Sequence, residues 1–372
     1  MFSTDNPCQV AVIGFDHMHA GDFIRAASAH PRAAVAALWG AHAGPMAAVA
    51  ADFGIDDSKQ FTNAGALLER ARPDLAVVCS TTHDHLRWVE YLAAVGVPVM
   101  VEKPFATTLA EADAMIASAR QHGVPLAVNW PLAWYPAHRT CQRLIAGGTI
   151  GTIREVHYYD GNRGPLYHLH DKKEAQASQT AEARRASWWY QAKQGGGSLL
   201  DYLGYGTTIS TWFRGGELPT EITARAFIPP GEEVDEQAVV IAEYAAGLST
   251  YQTRWGTFTD PWSHQPQPRC GFVVVGTAGT IASYDYQDTI RVQTHEHPEG
   301  LDIGVDALPL EQQNGIAAFV DALERGAEPA GPISWQISRA GQLMVDAARQ
   351  SARTGRPVEL AGLEAGGVPA DA

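Results

Sequence analysis

The order of apolar segments in this 372-residue chain predicts an α/β half followed by an α+β half. In the first half, short apolar runs alternate with segments of helical spacing, which is typical of a doubly wound parallel sheet. In the second half, apolar and polar residues alternate along longer segments, which is typical of a mainly antiparallel sheet with one covered face. A third observation is the apolar run Val99–Val101, which ends abruptly at Glu102, Lys103 and Pro104.

The first half contains five predicted strands separated by helices. The predicted strands are Gln9–Ile13, Ala33–Trp39, Leu75–Ser80, Val97–Val101 and Leu126–Asn129. The predicted helices are Asp22–Ala29, Pro45–Phe53, Ala64–Ala71, His85–Val95 and Leu109–His122. The connections are short enough for parallel pairing of successive strands. We therefore predict a doubly wound domain over residues 1–128.

The second half is predicted to form a domain over residues 129–362, built on a large, mainly antiparallel open sheet. Its predicted strands are Ile153–Asp160, Glu221–Phe227, Ala238–Ala245, Ser249–Trp255 and Cys270–Gly276. Its predicted helices are Pro136–Ala146, Leu310–Arg325 and Gln336–Thr354. A polar insertion, Asn162–Gln194, separates the first two strands. Residues 363–372 are rich in Gly, Ala and Pro and are predicted to be a flexible tail.

Composition and charge exclude several classes of partner. The formal net charge of −14 makes the surface acidic, so nucleic acid and anionic membranes are not expected as partners. The chain has no apolar run near the roughly 20 residues of a membrane span, and its first residues lack the features of a signal peptide. We expect a cytoplasmic protein. The four scattered cysteines are then expected to be reduced, and Cys8 and Cys79 to lie in the core.

Lys103 is the first candidate for a functional side chain. It follows a buried strand, and in open α/β sheets ligands bind at the carboxyl ends of the strands. A lysine at such a position is costly unless it is paired or useful. The alternative interpretation is a lysine at the rim of the sheet that pairs with Glu102.

The turn after the first strand lies where a dinucleotide fingerprint G-x-G-x-x-G would be. Gly14 is present, but Asp16 and His19 stand at the second and third glycine positions. Asp16 would bring negative charge close to a pyrophosphate. The second strand ends at Trp39 and Gly40, without the acidic residue that usually binds a ribose hydroxyl. The signal for a dinucleotide therefore comes from the position of the turn and is weakened by its side chains.

Several motifs, taken in chain order, resemble the glucose–fructose oxidoreductase/inositol dehydrogenase (Gfo/Idh/MocA) family. The first is the Glu102-Lys103-Pro104 strand tip, and the second is Gly195-Gly196-Gly197 followed by Asp201 and Tyr205. The other landmarks are Ser80–His85, Gly147–Gly151, Gly276–Gly279 and Ser351–Val358. The resemblance covers nearly the whole chain and implies a Rossmann domain followed by a sheet domain.

The resemblance also implies an activity and a set of residues. Family members transfer a hydride between NAD or NADP and a sugar, cyclitol or related polyol. By resemblance, Lys103 holds the reacting oxygen and Tyr205 takes its proton, while Asp201 lies one helical turn before Tyr205. The expected cofactor-binding residues are Gly14, Phe15, Asp16, His17, Met18, Gly40, Ser80, Thr81, Thr82, His85, Glu102 and Lys103.

Aromatic and basic residues of the insertion are candidates for substrate binding, because aromatic faces stack on the C–H surfaces of sugars. The candidates, with one tryptophan that follows the last Rossmann strand, are Trp130, Arg163, His168, His170, Trp188 and Trp189. The tryptophans could equally anchor the insertion to the core. In the family, the open sheet face pairs between subunits, so we expect a homodimer or homotetramer.

Two alternatives remain open at this stage. His-x-His pairs occur at 17/19, 83/85, 168/170 and 295/297, and the first two follow strands whose ends could converge on a metal together with Asp16. We expect no metal site and interpret these histidines as polar loop residues. The second alternative is a descendant of the family without redox chemistry: a lyase, isomerase, hydrolase or ligand-binding protein that uses the same cleft.

Overall fold

The computed structural model describes residues 1–169, 172–175 and 180–366, and these form two sheets with helices packed on them. The first sheet has six parallel strands and the second has nine strands of mixed direction. The predicted fold class is confirmed. No helix in the described ranges is long and apolar enough to cross a membrane.

The first sheet has the strand order β3-β2-β1-β4-β5-β6, with every neighbouring pair parallel. Its strands are β1 (Cys8–Ile13), β2 (Ala33–Trp39), β3 (Gln60–Phe61), β4 (Leu75–Val78), β5 (Val99–Glu102) and β6 (Leu126–Asn129). Its helices are α1 (Ala20–Ala29), α2 (Ala43–Asp52), α3 (Ala64–Ala71), α4 (His85–Ala94) and α5 (Leu109–His122). The two-residue strand β3 was not predicted, because so short a segment carries no periodicity. The topology changes direction between β1 and β4, which places a ligand-binding crevice at their carboxyl ends.

The second sheet has the strand order β14-β13-β12-β11-β7-β10-β9-β8-β15. Its strands are β7 (Ile153–Asn162), β8 (Glu221–Phe227), β9 (Gln237–Tyr244), β10 (Gly247–Trp255), β11 (Gly271–Gly276), β12 (Gly279–Tyr284), β13 (Thr289–Thr294), β14 (Leu301–Gly304) and β15 (Val358–Glu359). Five of these nine strands agree with those predicted from the sequence, whereas β12 to β15 were not predicted. The central pair β7–β10 is parallel and the other pairs are antiparallel, so the sheet is mainly antiparallel, as predicted.

The remaining helices cover one face of the second sheet or return to the first. They are α6 (Pro136–Ala146), α7 (Ala181–Ala186), α8 (Ser198–Phe213), α9 (Gly315–Glu324), α10 (Trp335–Thr354) and α11 (Leu360–Gly366). Helices α8 and α10 pack against each other and against the sheet. Helix α9 instead contributes Ile316 and Phe319 to the apolar cluster around β1 and α1.

Two predicted boundaries differ from the structure by more than two residues. The helix predicted from Leu310 begins at Gly315, because the Asn314 side chain accepts a hydrogen bond from the Ala317 amide and caps the helix there. Helix α11 extends to Gly366, into the segment predicted as a flexible tail, and residues 367–372 lie outside the described residues. The predicted burial of Cys8 and Cys79 is confirmed, and all four cysteines are buried and free.

The outer face of the second sheet exposes apolar side chains. Along β9, residues alternate between buried and exposed, and Val239 and Ile241 point outward. Leu248 on β10 is also exposed. The inward face is covered by α8 and α10, so the apolar outward residues have no cover from this chain within the described ranges.

Candidate active site

Lys103 lies immediately beyond β5, in the crevice between the two sheets, and is only 3 % exposed. Its Nζ atom lies 2.5 Å from Oδ1 of Asp201, which is in the first turn of α8. The other carboxylate oxygen, Oδ2, accepts a hydrogen bond of 3.0 Å from Nε1 of Trp255. The buried ammonium is therefore paired with Asp201 rather than with Glu102, which the alternative interpretation of the sequence had paired with it.

The turn before α8 explains why Asp201 reaches Lys103. Gly197 has φ +106°, and a Cβ there would lie 2.8 Å from Oδ1 of Asp235. A Cβ on Gly196 would lie 2.1 Å from the carbonyl oxygen of Trp189, so a side chain at either position would push the helix away. Asp235 also accepts a hydrogen bond from the Leu199 amide and so caps the helix. The glycine triplet thus fixes where α8 begins.

Aromatic rings surround the Lys103 ammonium. Its Nζ atom lies 5.2 Å from the ring centroid of Tyr205, 5.7 Å from that of Tyr202 and 5.9 Å from that of Trp189. Cations are attracted to the faces of such rings, most strongly where water is excluded. The site therefore holds a cation in a nearly dry setting, where it interacts strongly with any negative charge that develops nearby.

Tyr205 lies one turn after Asp201 on α8, as the four-residue spacing predicted, and its ring packs edge-on against Trp130. Burial raises the pKa of Tyr205 well above its usual value, and the carboxylates of Glu102 and Asp160 raise it further. The hydroxyl is therefore suited to donating a hydrogen bond and poorly suited to the predicted role of base.

Glu102 points away from Lys103 and toward the first turn of the Rossmann domain. It is fully buried, and its Oε1 atom lies 2.8 Å from Nδ1 of His19. Its Oε2 atom accepts a hydrogen bond of 3.0 Å from Asn129, the neighbouring residue on β6. Glu102 thus contacts other side chains of the protein rather than the open cleft expected for a cofactor-binding residue.

The turn from Gly14 to His19 departs from a glycine-rich fingerprint in a defined way. Gly14 has φ +86°, and a Cβ there would lie 2.8 Å from the Ser80 backbone, so this glycine lets the ends of β1 and β4 approach. Burial and the nearby Asp84 raise the pKa of Asp16, which weakens the negative charge expected beside a pyrophosphate. His19 replaces the third glycine without clashing, because its ring turns toward Glu102.

His17 is buried and neutral at ordinary pH. Burial lowers its pKa well below the usual value, and the charge of Lys103 acts in the same direction. Its Nδ1 atom accepts a hydrogen bond from the His19 backbone amide, and its Nε2 atom has no partner among the described residues. Nε2 therefore carries the proton of the neutral ring and is an unpaired donor beside the cleft.

The other predicted cofactor-binding residues lie around this turn, and each contacts other parts of the protein. Gly40 packs closely, since a Cβ there would lie 3.2 Å from Met46 and 3.4 Å from Phe15. Thr81 and Thr82 contact the end of the insertion, where Thr81 Oγ1 donates to Gln194. Ser80 is buried, and its hydroxyl donates a hydrogen bond to the carbonyl oxygen of Thr81. The Nδ1 atom of His85 lies 3.1 Å from the carbonyl oxygen of Phe105, and burial lowers the pKa of this ring.

An open cavity of about 330 Å³ runs along the turn and reaches Lys103. Among its lining residues are Phe15, Asp16, His17, Met18, Pro45, Val49, Lys103, His168, Trp189 and Asp201. This shape joins the first βα turn, the start of α2 and the strand tip, which are the places where a dinucleotide lies on this sheet topology. The residues therefore fit a dinucleotide, with Asp16 and His19 as the departures.

A smaller inner cavity, which was not predicted from the sequence, shares Lys103 and Met18 with the outer cavity. Its polar lining residues are His19, Lys103, Tyr135, Asp160, Lys172, Tyr202, Tyr205, Asp285 and Tyr286. Asp160 accepts hydrogen bonds from the Tyr158 hydroxyl and the Gly161 amide, while burial and the charge of Asp285 raise its pKa well above the usual value. The four tyrosines and two acids come from distant segments, and only the fold brings them together.

The insertion covers the open side of the cleft, and we call its described part (163–169, 172–175 and 180–194) the roof. Arg163 Nε donates to Asp260 at 2.7 Å and Nη2 to Glu174 at 2.8 Å. Nε2 of His168 lies 2.9 Å from the same Asp260 carboxylate, and His168 lines the outer cavity. Arg163 thus braces the roof and is absent from the lining of the two cavities described above. The predicted substrate residue His170 lies outside the described residues.

Trp188 and Trp189 tie the roof to the first turn. Their rings stack at 3.8 Å, and Trp188 Nε1 donates a hydrogen bond of 3.1 Å to the Asp16 carbonyl oxygen. Trp189 packs edge-on against His17 and lines the outer cavity. Trp130, by contrast, is a core residue: it is 1 % exposed, and its Nε1 donates to Ser338. The prediction that Trp130 lines the cleft does not agree with this placement.

One group of side chains near the turn has the composition of a metal site. Within the described ranges, one ligand atom from each of His17, His19 and Glu102 lies within 4.8 Å of the others. Asp16, which the sequence alternative had joined to the histidines, is not part of this group. The hydrogen bonds already described account for Nδ1 of His19 and for both carboxylate oxygens of Glu102 without an ion.

Comparison with known proteins agrees with this geometry. Residues 8–130 match the oxidoreductase family with an NAD-binding Rossmann fold, and residues 138–282 match the GFO/IDH/MocA C-terminal domain. A dTDP-3,4-didehydro-2,6-dideoxy-alpha-D-glucose 3-reductase from Streptomyces antibioticus is 30 % identical over 259 residues, which is 64 % of this chain and 73 % of that protein.

A D-apiose dehydrogenase from Paraburkholderia graminis is 34 % identical over 137 residues, which is 37 % of this chain and 34 % of that one. The chain thus matches about a third of the length of this relative, whereas its matches to the dTDP-sugar reductases are longer. A reductase of that kind from Actinomadura kijaniata is 26 % identical over 77 % of this chain and 79 % of its own.

Solved structures share the complete fold. An oxidoreductase from Agrobacterium radiobacter in complex with NAD+, L-tartaric acid and magnesium superposes with a TM-score of 0.75 at 20 % identity, covering 96 % of this chain and 99 % of that one. The aldose–aldose oxidoreductase of Caulobacter crescentus, complexed with glycerol, gives 0.74 at 20 % identity, covering 95 % and 99 %. At this identity the likeness concerns the fold. Together with the sequence matches, it identifies the chain as an oxidoreductase of the Gfo/Idh/MocA family.

Proposed function

We propose that this protein transfers a hydride between a CH–OH group of a sugar, cyclitol or related polyol and NAD or NADP. The observation that carries this proposal is the buried Lys103–Asp201 pair, which lies where the outer cavity along the dinucleotide turn meets the inner cavity. A hydride acceptor on one side of Lys103 and a carbinol on the other would meet at this lysine.

The outer cavity is the proposed cofactor site. The nicotinamide ring would supply a hydride acceptor for oxidation and a hydride donor for reduction. The bound cofactor would contact residues Phe15 to Met18 and Lys103. Its nucleoside end would lie against Pro45 and Val49 of α2. No acidic residue follows β2 to bind a ribose hydroxyl. The residues around Gly40 and His42 would therefore determine whether NAD or NADP binds.

The residues around the inner cavity would bind and orient the polyol. Lys103, held by Asp201, would donate to the reacting oxygen and stabilise negative charge as it develops. Tyr205 would donate a second hydrogen bond, because its raised pKa keeps the hydroxyl protonated. The carboxylates of Asp160 and Asp285 and the remaining tyrosine hydroxyls offer several acceptors, which suits a substrate that carries several hydroxyl groups.

The names of the relatives support the same substrate class. They include D-apiose dehydrogenase, the dTDP-sugar 3-reductases, 1,5-anhydro-D-fructose reductase and trans-1,2-dihydrobenzene-1,2-diol dehydrogenase. Each of these names describes oxidation or reduction at carbon bearing oxygen. None describes a non-redox activity, so we retain the oxidoreductase and set the lyase, isomerase, hydrolase and ligand-binding alternatives aside.

We further propose the domain division 1–128 and 129–362, a cytoplasmic location and a homodimer or homotetramer. The exposed Val239, Ile241 and Leu248 support the assembly, because a sheet face of this kind is usually covered in an isologous interface.

The experiment that tests the function has two steps. NAD+, NADP+, NADH and NADPH are first compared by the rise in melting temperature that each produces, since a ligand of the folded state stabilises it. Sugars, cyclitols and small diols are then screened for reduction of the nucleotide that binds, followed by nicotinamide absorbance. Absence of any melting shift at millimolar nucleotide would contradict the proposed function.

A further inference from the structure

His19 occupies a position where the dinucleotide fingerprint has its third glycine, yet its side chain is held in one orientation. It directly precedes helix α1, and its side chain makes no capping hydrogen bond there. Its ring instead turns toward β5, where Nδ1 lies 2.8 Å from Oε1 of Glu102. The His19 amide donates to Nδ1 of His17, which fixes the backbone as well.

Glu102 is positioned to act as a fixed acceptor for this ring. It is fully buried, and its second oxygen already accepts a hydrogen bond from Asn129. Asn129 in turn accepts from Nε1 of Trp134, so the chain of hydrogen bonds is anchored in the core. Because a carboxylate only accepts, Nδ1 of His19 carries the shared proton. The neutral ring then has its lone pair on Nε2.

His19 takes part in the lining of two cavities. His19 lines the inner cavity together with Lys103 and Tyr205, and also a neighbouring cavity beside α1. Since Nδ1 is directed at Glu102, Nε2 is the ring nitrogen left to meet a ligand. It has no hydrogen-bond partner in the part of the chain that the structure describes. Orientation of an imidazole by a buried carboxylate is the arrangement that hydrolytic triads use for a general base.

We propose that His19, oriented by Glu102, accepts and returns the proton of the reacting hydroxyl, an inference that rests on the proposed function. In oxidation, the C–H bond breaks and its electron pair leaves as hydride to NAD(P)+, which becomes NAD(P)H. The O–H bond breaks, its electrons form the new C=O bond, and its proton goes to Nε2 of His19. The imidazolium then releases that proton to solvent. Reduction runs the same steps in reverse, with Lys103 and Tyr205 as hydrogen-bond donors to the oxygen.

The acid–base behaviour of His19 depends on all the charged groups around it. Besides Glu102, those groups on the adjoining turn, strands and loops are His17, Asp22, Lys103, Asp160, Lys172 and Asp285. Lys103 is neutralised by Asp201, and Lys172 lies 3.8 Å from Asp22. Glu102 is the one that contacts the imidazole directly, so its removal is the sharpest perturbation.

His19→Gly is the decisive variant, because it restores the glycine of the fingerprint and leaves space the size of an imidazole. Loss of a general base lowers turnover by a factor of about 10²–10⁴. We expect a fall in kcat of that order, little change in nucleotide binding, and partial recovery when free imidazole is added. Tyr205→Phe, which removes a donor from the same cavity, should not be rescued by imidazole.

Glu102→Gln provides an independent variant with nearly the same shape. The amide would donate to Nδ1, so the neutral ring would carry its proton on Nε2 and could no longer accept one. We expect lower kcat and a changed pH profile of kcat/KM, because the imidazole is no longer oriented with Nε2 as the acceptor. A purely structural role of Glu102 would lower the melting temperature and leave the pH profile of the folded enzyme unchanged.

The possible outcomes separate this inference from the proposed function. Normal turnover of His19→Gly, or a loss that imidazole does not restore while Glu102→Gln keeps its pH profile, would overturn the role of His19 alone. Loss of wild-type turnover after chelation, restored by a divalent metal, would also overturn it, since His19 would then be a metal ligand. Failure of the wild type with every polyol and both nucleotides would overturn the proposed function and this inference with it.

Discussion

The two sides of the cleft differ in how they hold their charges. On one side, which we call the floor, Lys103 and Asp201 are 3 % and 4 % exposed and are contributed by a strand end and a helix. In the roof, the side chain of Arg163 is 26 % exposed and that of its partner Glu174 is 75 % exposed. The floor is therefore nearly dry, whereas the roof is braced partly by ion pairs that water can reach, although Asp260, which pairs with Arg163 and His168, is itself buried.

This difference assigns different tasks to the two sides. Removing one partner of a buried ion pair costs about 3–5 kcal/mol, whereas an exposed pair contributes about 0–1 kcal/mol. A fixed, desolvated charge is what stabilises a transition state, because no reorganisation is needed during the reaction. A solvated, adjustable covering suits entry and release of ligands. We therefore expect changes in the floor to affect kcat and changes in the roof to affect KM.

Among changes to the floor and the roof, the largest effect is expected for Lys103→Met, which keeps most of the side-chain length and removes the charge. Loss of a preorganised donor lowers kcat by a factor of about 10²–10³. Nucleotide binding should change little. Turnover and melting should be measured on the same preparation, with Arg143→Met as a control, because Arg143 forms an exposed pair with Asp306 and neither residue lines the outer or the inner cavity. Normal turnover of Lys103→Met would remove the floor from the mechanism.

Asp201→Asn should reduce stability most among the floor variants. It leaves the Lys103 ammonium buried without a counter-charge, at a cost of about 3–5 kcal/mol in the free energy of unfolding. The amide oxygen can still accept from Trp255, so the packing is retained. Denaturant unfolding measures the loss. Lys173→Met is the roof counterpart, because Lys173 pairs with Asp52 in an exposed setting, and it is expected to lose about 1 kcal/mol or less. Equal losses in the two variants would erase the distinction between floor and roof.

Trp189→Leu tests the roof. The ring contacts His17 and lines the outer cavity, and an aromatic contact contributes about 0.5–1.5 kcal/mol beyond its buried area. We expect KM to rise by about tenfold or less, as 1.4 kcal/mol corresponds to a factor of ten, with kcat little changed. Trp188→Phe keeps a stacked ring and loses only the bond to Asp16, so its effect should be smaller. A fall in kcat at constant KM would show that the roof acts in the chemical step.

Asp16→Gly removes the acidic side chain of the turn from Gly14 to His19, which lies between the floor and the roof. A charge at about 4 Å in a watery site is worth about 1 kcal/mol, so nucleotide should bind about fivefold more tightly. The raised pKa of Asp16 makes the gain largest at alkaline pH, where the carboxyl is ionised, and smaller toward acid. Nucleotide titration at two pH values measures it. Weaker binding would show that Asp16 contributes a favourable contact.

The smallest effect on the site is expected from a change on the outer sheet face. Ile241→Glu places a charge in the exposed apolar patch on β9 and should shift the mass seen by light scattering toward the monomer. Turnover per chain should stay near that of the wild type, because the patch lies on the face opposite α8. A monomeric wild type at micromolar concentration would contradict the proposed assembly.

The amino-acid sequence by itself determined the doubly wound sheet, the mainly antiparallel second sheet and the place of Lys103 at a strand end. These follow from local periodicity and from the proline after Lys103, which need no knowledge of distant contacts. The four-residue spacing from Asp201 to Tyr205 likewise required only a helix.

The tertiary structure alone decided which charges pair. Lys103 pairs with Asp201 instead of its neighbour Glu102, because successive side chains of a strand point to opposite faces. Glu102 is therefore free to hold His19, whose position in the sequence had indicated only a lost glycine. The same reason applies to the inner cavity, where Asp160 and Asp285 meet across the second sheet. Contacts between residues far apart in the chain depend on packing, and no local pattern encodes them.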